Sequence, residues 1–291
     1  MQDFFELAVG AAASGCVYGL IGLAYLLVLR PTGIINFAVG EWAMLGAFGG
    51  FVLLTQYEWS YPLGVGVALA LMFVVGWATE RIVVQPLVKK GAPLLAPILA
   101  LLGMVVVYRE TISALFPPDP LPVPYALGMG RLEFGPIGGT YQSFFIIGCA
   151  LAVFICAWLF FERTIAGKAF EAVALNRRAA ALMGINLSRV MALSFGAGAV
   201  VAGLGGLLVA PNISAYYLMG VPLAIQGFTA LVIGGVGRVG GPLLGGLLLA
   251  LAEQLTVRYA PIPSGYAQGV PLVFLMLFLL IRPTGLLRAK A

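Results

Sequence analysis

From Val190 to Gly237 the chain carries no charged residue. A hydrocarbon core about 30 Å thick is spanned by a helix rising about 1.5 Å per residue within roughly 20 residues, so this run exceeds one crossing. No water-soluble fold could cover so long an uncharged stretch, and the rest of the chain repeats the pattern. Of its 291 residues, 62% are apolar and 9% charged, against roughly a quarter charged in ordinary soluble domains. The length alone would suit one or two soluble domains, but the few charges cluster between the apolar runs. The sequence therefore reads as one continuous transmembrane domain over residues 1–291, all-α and polytopic.

The runs can be followed in order. Leu7 to Leu29 is a first span, ending at Arg30 and Pro31. Ile34 to Gln56 is apolar but interrupted by Glu41 and loosened by Gly33, Gly40, Gly46, Gly49 and Gly50, and reads as a broken or partly re-entrant segment. Trp59 to Thr79 and Gly91 to Tyr108 follow. Between Arg109 and Tyr141 lie Pro117, Pro118, Pro120, Pro122, Pro124 and Pro136, which predict a long exposed loop. Gln142 to Phe161 is a fifth span, and 162–189 is the longest polar stretch. Within Val190 to Gly237, Pro211, Asn212 and Pro222 divide the run into two segments meeting near a bend, the second discontinuous. Val239 to Val257 and Tyr259 to Ile281 complete roughly eight or nine membrane segments.

Lysine and arginine set the orientation. Arg81, Lys89 and Lys90, then Arg163, Lys168, Arg177, Arg178 and Arg189, then Arg282, Arg288 and Lys290 mark three cytoplasmic segments. Asp3 and Glu6 and the proline-rich loop face outside, giving an N-out, C-in chain. That needs an odd number of full crossings, which nine segments satisfy if the second spans; a re-entrant second segment would leave eight. No basic region precedes the first apolar run, so a cleavable signal is not expected. The interrupted segments near 33–50 and 220–241 suggest two halves related as a diverged repeat, a pattern that in transporters marks the translocation path.

Several function classes fall away. The net charge of +5 sits in topology-setting connections and does not indicate nucleic acid. Histidine is absent, and Cys16, Cys149 and Cys156 all lie in apolar runs, so neither a metal site nor a Ser/His/Asp or Cys/His constellation is expected. Gly235-Val236-Gly237-Arg238-Val239-Gly240 matches the dinucleotide pattern, yet no strand precedes it and membrane helices flank it, so its glycines read as packing or turn positions. Gly15 with Gly19 and Gly241 with Gly245 have small-xxx-small spacing. No phosphate-binding G-x-x-x-x-G-K-[ST] loop occurs. The chain is not expected to be an enzyme or to hold a cofactor.

Two stretches carry the candidate chemistry. Thr32 to Glu41 places Asn36 and Glu41 inside an apolar segment, where polar groups need partners or water; the alternative is a structural carboxylate capping a half-helix or pairing with Arg30. Gly167 to Arg178 is alanine-rich and proline-free and predicts one short amphipathic helix. At about 100° per residue, Lys168, Glu171 and Arg178 share one face, with Phe170, Val173, Ala174 and Ala181 around another. Such a helix rests on the membrane surface or fits a partner's groove.

Three places together resemble the permeases of ABC importers for branched-chain amino acids and related small hydrophilic molecules. They are Gly22-Leu23-Ala24-Tyr25 leading into Thr32 to Glu41 and Met44 to Ala47; Gly167 to Ala169 through Leu182-Met183-Gly184-Ile185-Asn186 and Arg189; and Gly234 to Gly237 with Gly240 to Gly246, ahead of Glu253. Val39 and Asn176 depart from the family pattern, standing where relatives carry histidine and an acidic residue. The resemblance implies a multi-pass bacterial inner-membrane subunit forming half of a pore with a paralogous permease. It also implies two cytoplasmic ATPases, which bind the ATP and Mg, and a periplasmic solute-binding protein. Lys168, Phe170, Glu171, Ala174, Arg177, Arg178 and Gly184 would couple to the ATPases. Asn36, Phe37, Gly40, Glu41, Gly234, Gly235 and Gly237 would belong to the path or its discontinuous helices. A secondary transporter or channel is the rival, and a scaffold without transport the third reading.

Overall fold

The structure is a computed structural model and describes residues 2–134, 137–259, 269–282 and 285–287. Helices dominate: α1 Gln2–Thr32, α2 Val39–Gly50, α3 Tyr61–Thr79, α4 Gln85–Lys89, α5 Leu95–Leu115, α6 Tyr141–Arg163, α7 Ile165–Leu175, α8 Arg177–Leu182, α9 Leu187–Ile213, α10 Gly220–Gly234, α11 Gly241–Tyr259 and α12 Val270–Ile281. Wider π turns over Phe51–Gln56 and Glu80–Val84 extend α2 and join α3 to α4. One antiparallel hairpin, β1 Arg131–Phe134 with β2 Ile137–Thr140, precedes α6. Among the described residues, five helices are long and apolar enough to cross a membrane, and α10 and α12 are shorter apolar helices. The protein is a helical membrane protein.

The ends of the spans differ from the sequence expectation in one instructive place. The fourth run continues as helix through Leu115 instead of stopping at Tyr108, so Arg109 and Glu110 are helical and the loop begins only at the prolines. The loop also holds the hairpin. Proline stops a helix, whereas arginine and glutamate are good helix formers. Residues 260–268 of the last expected span, and Arg288 and Lys290 of the tail, lie outside the described residues, as does Pro136.

α1 and α9 form the centre. In α1, 83% of the most apolar window is buried, against 11% in α5. α1 packs on α9, α10 and α11, while α9 packs on α1, α2 and α3, and α2 meets α10. Exchanging α1 with α9, α2 with α10 and α3 with α11 leaves this contact scheme unchanged, as two related halves require. Glycine permits the close approaches. A Cβ on Gly15 would lie 2.7 Å from the Leu247 Cα, and one on Gly46 would overlap the Gly203 backbone. Without a hydrophobic drive between helices inside lipid, such backbone contact supplies the packing that holds a bundle together.

Candidate functional site

Two helices begin in mid-bundle. The chain leaves α1 at Gly33, whose φ of 59° suits glycine, and runs without helix until α2 starts at Val39. It leaves α9 at Ser214, with φ of 64°, and runs without helix until α10 starts at Gly220. Their N-termini abut: a Cβ on Gly40 would collide with the Gly220 carbonyl, and one on Gly220 would lie 2.7 Å from Glu41 Oε2. From this crossing the helices diverge. The end of α2 reaches the loop, where Thr55 donates to the Pro122 carbonyl and the segment before α10 pairs Ala215 with Leu121. The end of α10 reaches the opposite face, where Gly33 also lies, beside Arg177.

The crossing holds the candidate polar groups. Asn36 is buried, and its Oδ1 accepts from the Ala38 N–H at 3.0 Å, turning the chain into α2. Glu41 is 1% exposed; its Oε1 accepts from Arg109 Nη2 at 2.6 Å, while Oε2 has no hydrogen-bond partner among the described residues. The carboxylate thus lies in the first turn of one helix and against the N-terminus of another, where both dipoles favour negative charge. Its cation comes from α5, not from Arg30. Arg109 was missed because it sat beyond the expected helix end, although a lone arginine beside an apolar run was the available signal. Phe37 is partly exposed at the same bend. Gly234, Gly235 and Gly237 lie at the far end of α10. Beyond the crossing, Leu54, Thr55, Glu58, Pro122, Tyr125, Met129 and Ser214 border an open crevice of about 740 Å³.

The polar stretch after α6 forms two helices, not one. Thr164 caps α7 by accepting from Gly167 N–H at 2.9 Å, and Asn176 breaks the helix and caps α8 by accepting from Ala179 N–H at 3.1 Å. A side-chain oxygen that satisfies an orphan amide makes such a break cheap even in an alanine-rich stretch. Gly184, with φ of 85°, ends α8. Phe170 and Val173 face inward, and the Phe170 ring packs 5.7 Å from Phe160 and 6.2 Å from Phe161. Lys168 lies 3.2 Å from Glu171 and 3.8 Å from Glu162. Arg177 Nε donates to the Pro31 carbonyl at 3.0 Å, and burial pulls its pKa down from the ordinary arginine value. Ala174 and Arg178 are exposed.

Phe170 and Arg177 therefore fasten the pair of helices to its own chain, while Ala174 and Arg178 point away from it. Around them stand Ile165, Leu175, Leu182 and Met183, at 92%, 88%, 90% and 84% exposure, none singled out by the sequence as a contact residue although Leu182 and Met183 lie in the family-like stretch. Isolated exposed leucines are ordinary, but four almost fully exposed large residues on one short polar element mark a contact surface.

The chain matches the family described as "Branched-chain amino acid transport system / permease component" over residues 7–280. It is 30% identical to the high-affinity branched-chain amino acid transport system permease protein BraD of Pseudomonas aeruginosa, covering 99% of this chain and 96% of that protein. It is 29% identical to LivH of Escherichia coli, of the same description, over 98% and 95%, and 26% identical to the ribose import permease protein RbsC of Escherichia coli over 91% and 82%. Among solved structures, PsaBC from Streptococcus pneumoniae in complex with Fab superimposes with a TM-score of 0.52 at 12% identity, covering 96% of this chain and 91% of that one, a likeness of fold. The full-length match, two helices meeting in mid-bundle and an outward-facing helix pair lead to one conclusion: the chain belongs to the family of permease components of branched-chain amino acid transport systems.

Proposed function

We propose that this chain is the permease subunit of an ATP-driven importer for branched-chain amino acids or related small polar solutes. It forms half of the pore with a second permease, above two cytoplasmic ATPases that bind ATP and Mg and below a solute-binding protein. It sits in the bacterial inner membrane with the N-terminus outside, the 162–189 segment inside and nine crossings, the second and the seventh each entering as extended chain before turning helical. The observation that carries this reading is the α7–α8 pair: anchored to the bundle by Phe170 and Arg177, it presents Leu175, Leu182 and Met183 outward on the face most basic in sequence. Large apolar side chains framed by charge are what a protein groove grips. ATP-driven closure of the ATPases pushes on this pair and biases the bundle between outward and inward access.

A secondary transporter or channel would need an intramembrane group free to bind an ion, and the pairing of Glu41 with Arg109 weighs against that use. Coexpression with the ATPase and second-permease subunits tests the proposal. Copurification of the ATPases in detergent supports it; solute uptake by this chain alone, driven by an ion gradient, would replace it with the rival.

A further inference from the structure

The crossing of the half-helices and the outward-facing helix pair lie at opposite ends of α10, and one side chain bridges that helix to α7. Arg30, in the last turn of α1, donates from Nε to the Val236 carbonyl at 3.2 Å and from Nη2 to the Gly237 carbonyl. Both carbonyls belong to the turn that follows α10, two and three residues past its last helical residue, Gly234. The same guanidinium stacks over the Phe161 ring, 5.9 Å from its centroid, and Phe161 packs on Phe170 of α7. Glu171, the residue after Phe170 in α7, lines the same crevice of about 340 Å³ with Arg30, Glu162 and Arg238 and adds an electrostatic attraction.

From this turn, α10 runs to Gly220 against Gly40 and Glu41. Its 15 residues make a rod of roughly 22 Å. The C-terminal segment fastens the same end, with Leu286 and Leu287 N–H donating to the Ile233 and Gly234 carbonyls at 2.9 and 3.1 Å. A displacement of α7 reaches Arg30 through Phe170 and Phe161 and through Glu171. Arg30 passes it to the turn at 236–237, and α10 carries it to the crossing.

Building on the function proposed above, we infer that Arg30 is a positioning residue that couples the ATPase-facing α7 to the discontinuous helix α10. Arginine suits the role because its planar fork engages two successive carbonyls while its face rests on an aromatic ring; a lysine ammonium, a point charge, does not reproduce both contacts.

The test uses the whole transporter, reconstituted in lipid vesicles with its ATPases, second permease and binding protein, and reads solute taken up per ATP hydrolysed. In Arg30→Lys, with the ATPases still copurifying, this ratio is expected to fall about tenfold, within the range of ordinary coupling between sites. Phe161→Leu keeps an apolar side chain but removes the ring beneath Arg30, and approaches the same link from its other side if the lysine variant fails to accumulate; it too should lower the ratio. Arg163→Gln, an exposed position at the end of α6, should leave the ratio at the wild-type value. An unchanged ratio in the accumulating variants, or uptake and hydrolysis falling in equal proportion, would overturn the inference and leave the function standing. Wild-type vesicles that hydrolyse ATP without importing solute would overturn the function, and this inference with it.

Discussion

Replacing Arg109 by leucine removes the only cation paired with Glu41 among the described residues, and the consequence can be worked from the geometry. Glu41 is 1% exposed and its second oxygen already lacks a hydrogen-bond partner, so no water-facing rotamer waits to relieve it. Breaking a buried pair by deleting one member costs about 3–5 kcal/mol, because the remaining charge is left uncompensated. The N-terminus of α10 offsets part of this, by about 1 kcal/mol. A net loss of roughly 2–4 kcal/mol corresponds to an apparent Tm lower by on the order of 10 °C. The double variant Glu41→Gln with Arg109→Leu removes the stranded charge and should recover more than half of that loss, since replacing both members of a buried pair is far less costly than removing one. The assay is thermal unfolding in detergent or nanodiscs across the four-member cycle. If Arg109→Leu melted like the wild type, or the double variant were no more stable than Arg109→Leu, Glu41 would not be buried and neutralised by the part-buried Arg109 as described.

Other outcomes follow from the same structure. After replacement of the native cysteines, Met129→Cys should react with an impermeant thiol reagent added outside cells, and Leu175→Cys should react only after permeabilisation; the reverse labelling would invert the proposed topology. Reversing the charge of exposed Arg178, or placing aspartate at Leu175 and Leu182, should leave expression near normal while ATPase copurification drops, because losing a good contact at such an interface costs about 2 kcal/mol; full copurification would make α7–α8 an ordinary surface loop. Gly46→Leu should destabilise by about 2 kcal/mol or more through overlap with Gly203. Gly103→Ala, where a Cβ meets nothing within 4 Å, should be neutral or stabilising in the same thermal assay.

Much of this architecture was legible in the sequence because lipid imposes simple rules on a chain. Uncharged runs gave α1, α6 and α9 nearly to their ends, and the glycines and prolines near 33–50 and 211–222 marked both breaks. Gly15 and Gly19 do lie against another helix, α11. What sequence could not supply was pairing at long range. Arg109 ends a hydrophobic run when read alone, and its pairing with Glu41, 68 positions earlier, has no signature in the spacing. Arg30 resembled a partner for Glu41, but it binds backbone carbonyls, and carbonyls have no signature in sequence. The break at Asn176 escaped propensity reasoning because one side-chain oxygen outweighs the helical preference of the alanines around it. The inward turn of Phe170 depended on rings at Phe160 and Phe161 whose positions follow from the angle between α6 and α7.

The central claim is that this chain conducts solute only when ATP is spent by subunits bound to α7–α8. Vesicles containing the assembled complex, with ATP enclosed on the ATPase side and binding protein with radiolabelled leucine outside, provide the most direct test. The account predicts accumulation of leucine, or of a related small polar solute presented by that binding protein, that requires hydrolysable ATP and disappears in the Leu175 and Leu182 aspartate variant. Accumulation that persists without ATP, or that follows an imposed ion gradient instead, would contradict it.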